Sequence, residues 1–175
     1  MDPTSPAIEQ SFAWYAVRVR TGREKKIADA LTRKGPKECE CLVPTYREKR
    51  KWSDRTKVLE LPIFPGYVFF YFDIDVRLPV MQTPGVIEIV GIGKIPQALD
   101  SREMEHIRSV TRVGHPARPS PFLKTGQRVR ITAGPLTGVE GILTKRRGEL
   151  LVVLSVSMLE KALSVVVESD SVRPV

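Results

Sequence analysis

Cysteine and histidine are scarce, with two of each in 175 residues. Cys39 and Cys41 lie two positions apart, too close for a disulfide framework, and on a strand both would point to one face. They read as small apolar residues of a cytoplasmic protein rather than as metal ligands. His106 falls in a predicted helix and His115 in an irregular stretch, with no zinc-ligand spacing between them. No apolar run approaches the roughly 20 residues that span a bilayer, so no membrane partner is expected. Residues 1–12 lack a basic region followed by an apolar core; they read as a disordered lead-in, not a signal peptide. The nucleophile-elbow, Walker-type and dinucleotide-binding glycine patterns are all missing. Asp73 and Asp75 fit a helix cap better than an acid–base pair. No enzyme is expected, and neither cofactor nor metal is implied.

Charge, by contrast, is present and strongly placed. Residues 18–57 hold fourteen basic against six acidic residues, which accounts for the whole formal excess of +8; the remainder balances fourteen against fourteen. Such focusing suits a phosphate backbone, because neutralising it releases condensed counterions.

Aromatic residues concentrate in Ile63–Phe72 (IFPGYVFFYF). A strand with one wet face alternates apolar and polar. Here Tyr67, Phe69 and Tyr71 point one way while Val68, Phe70 and Phe72 point the other. Either the chain covers both faces itself, or one meets a partner.

The remaining pattern places the elements. Trp14–Arg20 alternates as a strand. Thr21-Gly22-Arg23-Glu24 has the form of a capping box, and Ile27, Ala28 and Leu31 then share a helical face. Gly35-Pro36 predicts a left-handed stop. A short strand follows over Cys39–Val43, then a charged loop or hairpin tip from Tyr46 to Lys57, and Val58–Leu61 leads into the aromatic strand. A brief helix after Asp75 carries Leu78 and Met81, with Pro79 tolerable only in its first turn. Val86–Val90 is a strand. Asp100-Ser101-Arg102-Glu103 has the form of a second capping box, opening a helix whose core face is Met104, Ile107 and Val110.

These elements predict an α+β fold: an antiparallel sheet flanked by helices over residues 13–112. A stiff, proline-rich linker, 113–121, follows. Residues 122–175 are glycine-punctuated and β-branched, the pattern of a small five-stranded β-barrel. Ser157–Leu163 has good helix formers, but the strand-like Leu150–Val156 and Val165–Val167 outweigh them, so a barrel is expected.

In order along the chain, Trp14-Tyr15-Ala16-Val17, Val43-Pro44, Phe64-Pro65-Gly66-Tyr67-Val68, Thr83-Pro84-Gly85-Val86 and the KOW-like run Gly126–Gly141 resemble the NusG-type transcription elongation factors. Lys51-Trp52-Ser53-Asp54-Arg55 and Ser155–Leu159 are similar to the operon-specific branch of the RfaH and UpxY kind. The resemblance implies an NGN-like domain whose apolar surface docks on the clamp helices of the RNA polymerase β′ subunit. Trp14, Tyr15, Phe64, Pro65, Gly66, Tyr67 and Phe69 match that surface, and Thr21, Gly22 and Arg23 would meet the β subunit. Arg47, Lys49, Arg50, Lys51 and Arg55 would approach upstream or non-template DNA, or RNA, with Trp52 stacking on a base.

The resemblance further implies a monomer that suppresses pausing and termination by holding the polymerase clamp closed, while the KOW barrel recruits a second partner, a ribosomal protein or Rho. Leu136 and Leu159-Glu160-Lys161, with Met158 beside them, occupy the barrel's partner-binding positions. They depart from the aromatic and the Phe-Gly-Arg of general NusG proteins, which favours antitermination over Rho recruitment. Two other readings are a general NusG acting with Rho and a ribosome- or RNA-binding KOW module without polymerase contact.

Overall fold

Eight residues, apolar but for Arg18, form β1 (Phe12–Val19), which pairs antiparallel with β5 (Tyr67–Asp73) on one side and β6 (Val86–Ile89) on the other. With β2 (Glu40–Leu42) beyond β5, the strand order is β2-β5-β1-β6. The computed structural model describes residues 12–175, so the expected lead-in lies almost wholly outside the described residues.

Directly opposed residues share a sheet face. Tyr15 lies opposite Phe70 and Val17 opposite Val68, and this face packs on α1 (Glu24–Lys34) through Ile27, Ala28 and Leu31. Trp14 lies opposite Tyr71 and Ala16 opposite Phe69. That second face shares an apolar cluster with Met104, Ile107 and Val110 of α3 (Ser101–Val113). Both faces of the aromatic strand are therefore covered from within the chain.

Three local expectations are corrected. The Thr21–Glu24 capping box does not form: Arg23 is the N-cap without a side-chain bond, and Glu24 turns inward. Gly35 ends α1 in an extended conformation (φ −79°), not a left-handed one. Its lack of a side chain matters instead because a Cβ would stand 3.1 Å from that of Cys39. In α2 (Leu78–Met81) the buried residue is Val80, while Leu78 and Met81 face solvent. Asp73 and Asp100 do act as caps, Asp73 accepting from the Asp75 amide and Asp100 from those of Arg102 and Glu103.

Between β2 and β5, β3 (Thr45–Lys51) and β4 (Thr56–Pro62) form a two-stranded hairpin outside the main sheet. A second short ribbon joins β7 (Gly91–Ile92) to β8 (Ile95–Pro96). Beyond α3, residues 113–121 contain β9 (Ala117–Ser120), whose backbone pairs with β13 (Lys161–Val166). The C-terminal sheet runs β14-β10-β11-β12-β13-β9, with β10 (Arg128–Ile131), β11 (Glu140–Arg146), β12 (Glu149–Val156) and β14 (Val172–Pro174). It is a β domain and not a helical hairpin. Gly141 fits here because a Cβ would lie 2.4 Å from the Val153 carbonyl oxygen.

Candidate docking surface and nucleic-acid interface

Phe64-Pro65-Gly66-Tyr67 closes a turn by a hydrogen bond from the Tyr67 amide to the Phe64 carbonyl, 3.1 Å. Pro65 in the second position and Gly66 at φ +82° in the third follow the type II pattern. Both backbone groups of Gly66 are then fixed. Its carbonyl accepts from the Val19 amide at 2.8 Å, and its amide donates to the buried Glu24 carboxylate at 2.8 Å. The end of β1, the start of α1 and the aromatic turn thus meet at one point. Thr21, Gly22 and Arg23 are exposed beside it, so residues more than forty positions apart share one rim.

Behind this turn, Phe64 and Phe69 meet edge-on with ring centroids 5.1 Å apart, and Trp14 lies 5.4 Å from Tyr71. Phe69 is fully buried, Phe64 is 1% exposed and Trp14 7%. Their cluster continues through α3 into Val152, Leu154, Val156 and Leu163 of the C-terminal domain. In this arrangement the reachable parts of the expected surface are Pro65, the half-buried Tyr67 and the 21–23 turn. Tyr15 is corrected: it lies on the opposite face, 5.3 Å from the Phe72 ring. Burial, with Asp73 and Asp75 nearby, raises its phenol pKa, as befits a core residue.

The expected nucleic-acid residues come together on the β3–β4 hairpin. Its register puts Arg47, Lys49 and Lys51 on one face with Val58 and Glu60. Tyr46, Glu48 and Arg50 occupy the other with Lys57 and Leu59. Arg50 pairs with Glu48 at 3.1 Å and Arg55 reaches Asp54 at 4.0 Å, both exposed contacts of small energetic weight. Among the described residues Arg47, Lys49 and Lys51 enter no ion pair. Trp52 caps the tip, its amide bonded to the Arg55 carbonyl and its side chain left out: the residue is 55% exposed. An exposed indole next to unpaired cations can stack on a base while the cations meet phosphates.

On the C-terminal domain Met158 is exposed and Leu159 half-buried, both on a 3₁₀ turn, with Lys161 exposed after it. Glu160 adopts the left-handed conformation there (φ 49°), where a glycine would be unstrained. Leu136 is corrected: at 3% exposure it belongs to the core and presents nothing to a partner.

Two further ties lie outside the pattern of the sequence. Glu103 accepts from the Ser157 amide at 3.0 Å and from its hydroxyl, joining α3 to the turn that carries Met158. The capping-box pattern points Glu103 at its own helix instead. Glu40 on β2 accepts from Arg108 at 2.9 Å and from Arg112 at 3.2 Å, which clamps α3 over the sheet edge. His106, Arg102, Glu103, Ser155 and Ser157 line a cavity of about 690 Å³ between α3 and the C-terminal sheet. Burial there lowers the His106 pKa. Cys39 and Cys41 are free thiols packed in the α1-side core, and burial pushes Cys41 up to about 12. Among the described residues no cluster could hold a metal ion, and no helix is long and apolar enough to cross a membrane.

The family model described as "Transcription termination factor nusG" matches residues 12–108. The chain is 31% identical over 134 residues to the transcription termination/antitermination protein NusG of Helicobacter pylori strain J99, covering 70% of this chain and 74% of that one. To the protein of the same name from Deinococcus radiodurans it is 29% identical over 161 residues, covering 77% and 84%. A solved structure concerned with domain interaction in Thermotoga maritima NusG shares the fold, with a TM-score of 0.52 and 24% identity over 94% of this chain and 97% of that one.

Proposed function

The chain belongs to the NusG family, and from that premise we propose that it is a transcription elongation and antitermination factor acting by binding alone. The aromatic face of Trp14, Phe64, Tyr67 and Phe69 docks on the clamp helices of the RNA polymerase β′ subunit, and the Thr21–Arg23 rim reaches the β subunit. The β3–β4 hairpin then lies along upstream or non-template nucleic acid, with Trp52 on a base and Arg47, Lys49 and Lys51 on phosphates. Bridging the cleft holds the clamp closed and disfavours the paused state. A differential affinity of only about 1.4 kcal/mol changes the ratio of the two states tenfold.

The observation that carries this reading is the aromatic cluster itself. Rigid aromatics concentrate binding energy at interfaces, and here they sit beside an exposed, cation-rich hairpin. Phe64 and Phe69 are buried in an apolar cluster shared with α3 and the C-terminal domain, so docking through them requires that cluster to open, while Met158 and Lys161 are already exposed for a second partner. The left-handed Glu160 and buried Leu136 favour antitermination over a Rho-dependent role.

The test is capture of the intact chain by core RNA polymerase, with and without the β′ clamp helices. Tyr67→Ala, at a half-buried position, is expected to weaken capture more than tenfold while the protein stays folded. Binding within about threefold of wild type, under ~0.7 kcal/mol, places the dock elsewhere.

A further inference from the structure

We propose that the β11–β12 turn, Lys145-Arg146-Arg147-Gly148, is a second nucleic-acid contact, carried by the C-terminal domain and separate from the β3–β4 hairpin. Residues 122–175 hold eight basic and five acidic residues, an excess of three. Half of these cations are engaged. Arg128 and Arg130 pair with Glu140, Lys124 pairs with Glu160, and Arg173 donates to the carbonyls of Asp170 and Val172. Lys145, Arg146 and Arg147 are exposed and enter no ion pair among the described residues.

The backbone of the turn makes their presence more telling. Arg146 and Glu149 close the ladder, leaving Arg147 and Gly148 as the two central residues at φ 51° and 87°. That is the signature of a type I′ turn, whose first central position suits Asn, Asp or Gly. A side chain such as arginine costs roughly 1 kcal/mol there. The local fold alone therefore favours Asn-Gly, and the strained residue is a third consecutive cation.

The chemistry points to an extended polyanion. None of Lys145, Arg146, Arg147 and Gly148 lines the cavity beside α3 or either of two smaller ones. Lys145 and Arg146 lie on alternate faces of the exposed ribbon, Arg146 opposite Glu149, with Arg147 at the tip. A strand lying across the tip meets these cations at successive phosphates, and guanidinium groups grip phosphate bidentately. Given the proposed role in transcription, on which this inference rests, the polyanion is nucleic acid. The interaction does not depend on the polymerase dock.

The experiment titrates the full chain with labelled single strands of about 20 nucleotides, RNA and DNA of one sequence, over a salt series. Lys145→Gln/Arg146→Gln/Arg147→Asn removes the charge while placing a residue that tolerates the left-handed conformation. Its melting temperature is expected to be unchanged or higher; if it falls, Arg146→Gln/Arg147→Gly with Lys145→Gln replaces it, so that three charges are still removed. The slope of log affinity against log salt is expected to become shallower by about two, at about 0.7 for each phosphate no longer neutralised. A change confined to RNA or to DNA identifies the partner strand. An unchanged slope with either strand overturns the inference. Lys49→Glu/Lys51→Glu, run in parallel, separates the two claims. Weaker binding by that hairpin variant alone, with the turn variant unaffected, overturns this inference and leaves the hairpin reading standing; the reverse upholds it and removes the hairpin from the interface.

Discussion

Glu24→Ala is expected to destabilise the N-terminal domain by about 2–4 kcal/mol, and Glu24→Gln by only about 1 kcal/mol. In the wild type the Glu24 carboxylate, 4% exposed, accepts the Gly66 amide at 2.8 Å. Truncation leaves that amide buried without a partner, a loss of about 1.5–3 kcal/mol for a bond to a charged acceptor. It also removes the acidic group from the first turn of α1, worth about 0.3–1 kcal/mol against the helix dipole. Glutamine keeps the accepting oxygen and loses only the charge. The Val19 amide still holds the Gly66 carbonyl, so the turn is loosened rather than released. Urea unfolding followed by Trp14 fluorescence in a Trp52→Phe background isolates this domain. With a slope of about 1–3 kcal/mol per molar, the alanine midpoint should fall by on the order of 1–2 M. Equal costs for the two substitutions, or costs below about 0.5 kcal/mol for both, would falsify the role of Glu24 as the anchor of the aromatic turn.

Trp52→Ala should leave stability within about 0.5 kcal/mol, since the residue is 55% exposed, yet weaken single-strand binding by about 1–3 kcal/mol. Equal affinities in a titration would leave the indole a passive surface group. Cys41, with its thiol pKa near 12, should resist iodoacetamide at about pH 8 in the folded protein and react after denaturation, as read by mass spectrometry. His106 gives a pH dependence. Burial lowers its pKa from 6.5, supported by Arg128 and Arg102 and opposed by Glu140 and Glu105. The folded form therefore binds fewer protons than the unfolded one just below 6.5, so stability is full above that value and falls as pH drops through the window down to the lowered pKa. Thermal unfolding across that range should show the loss, and His106→Gln should flatten it; a variant with the wild-type profile assigns the dependence to other groups.

Much of this arrangement was legible from short-range pattern. The two-residue period separates Phe69 from Val68, Phe70 and Phe72, and the helical period picks out Ile27, Leu31, Met104 and Ile107; every one of these residues is buried. Charge placement marked residues 47–57, which form the exposed hairpin and its tip. Such signals survive because a strand or helix repeats its geometry within a few residues, so sequence spacing alone sets the face.

Spacing does not say what a face will meet. Thr21–Glu24 satisfied the capping-box pattern, but a buried amide forty-two positions away competed for the Glu24 carboxylate and won. Glu103 likewise went to Ser157 across the domain boundary. Tyr15 and Trp14 are adjacent and equally aromatic, and only the packing of α1 and α3 decided which faces which helix. Leu136, in a glycine-rich turn, reads as exposed until the sheet closes over it. In each case the deciding term is the desolvation or pairing of groups far apart in the chain, an energy that exists only once the long-range contacts have formed.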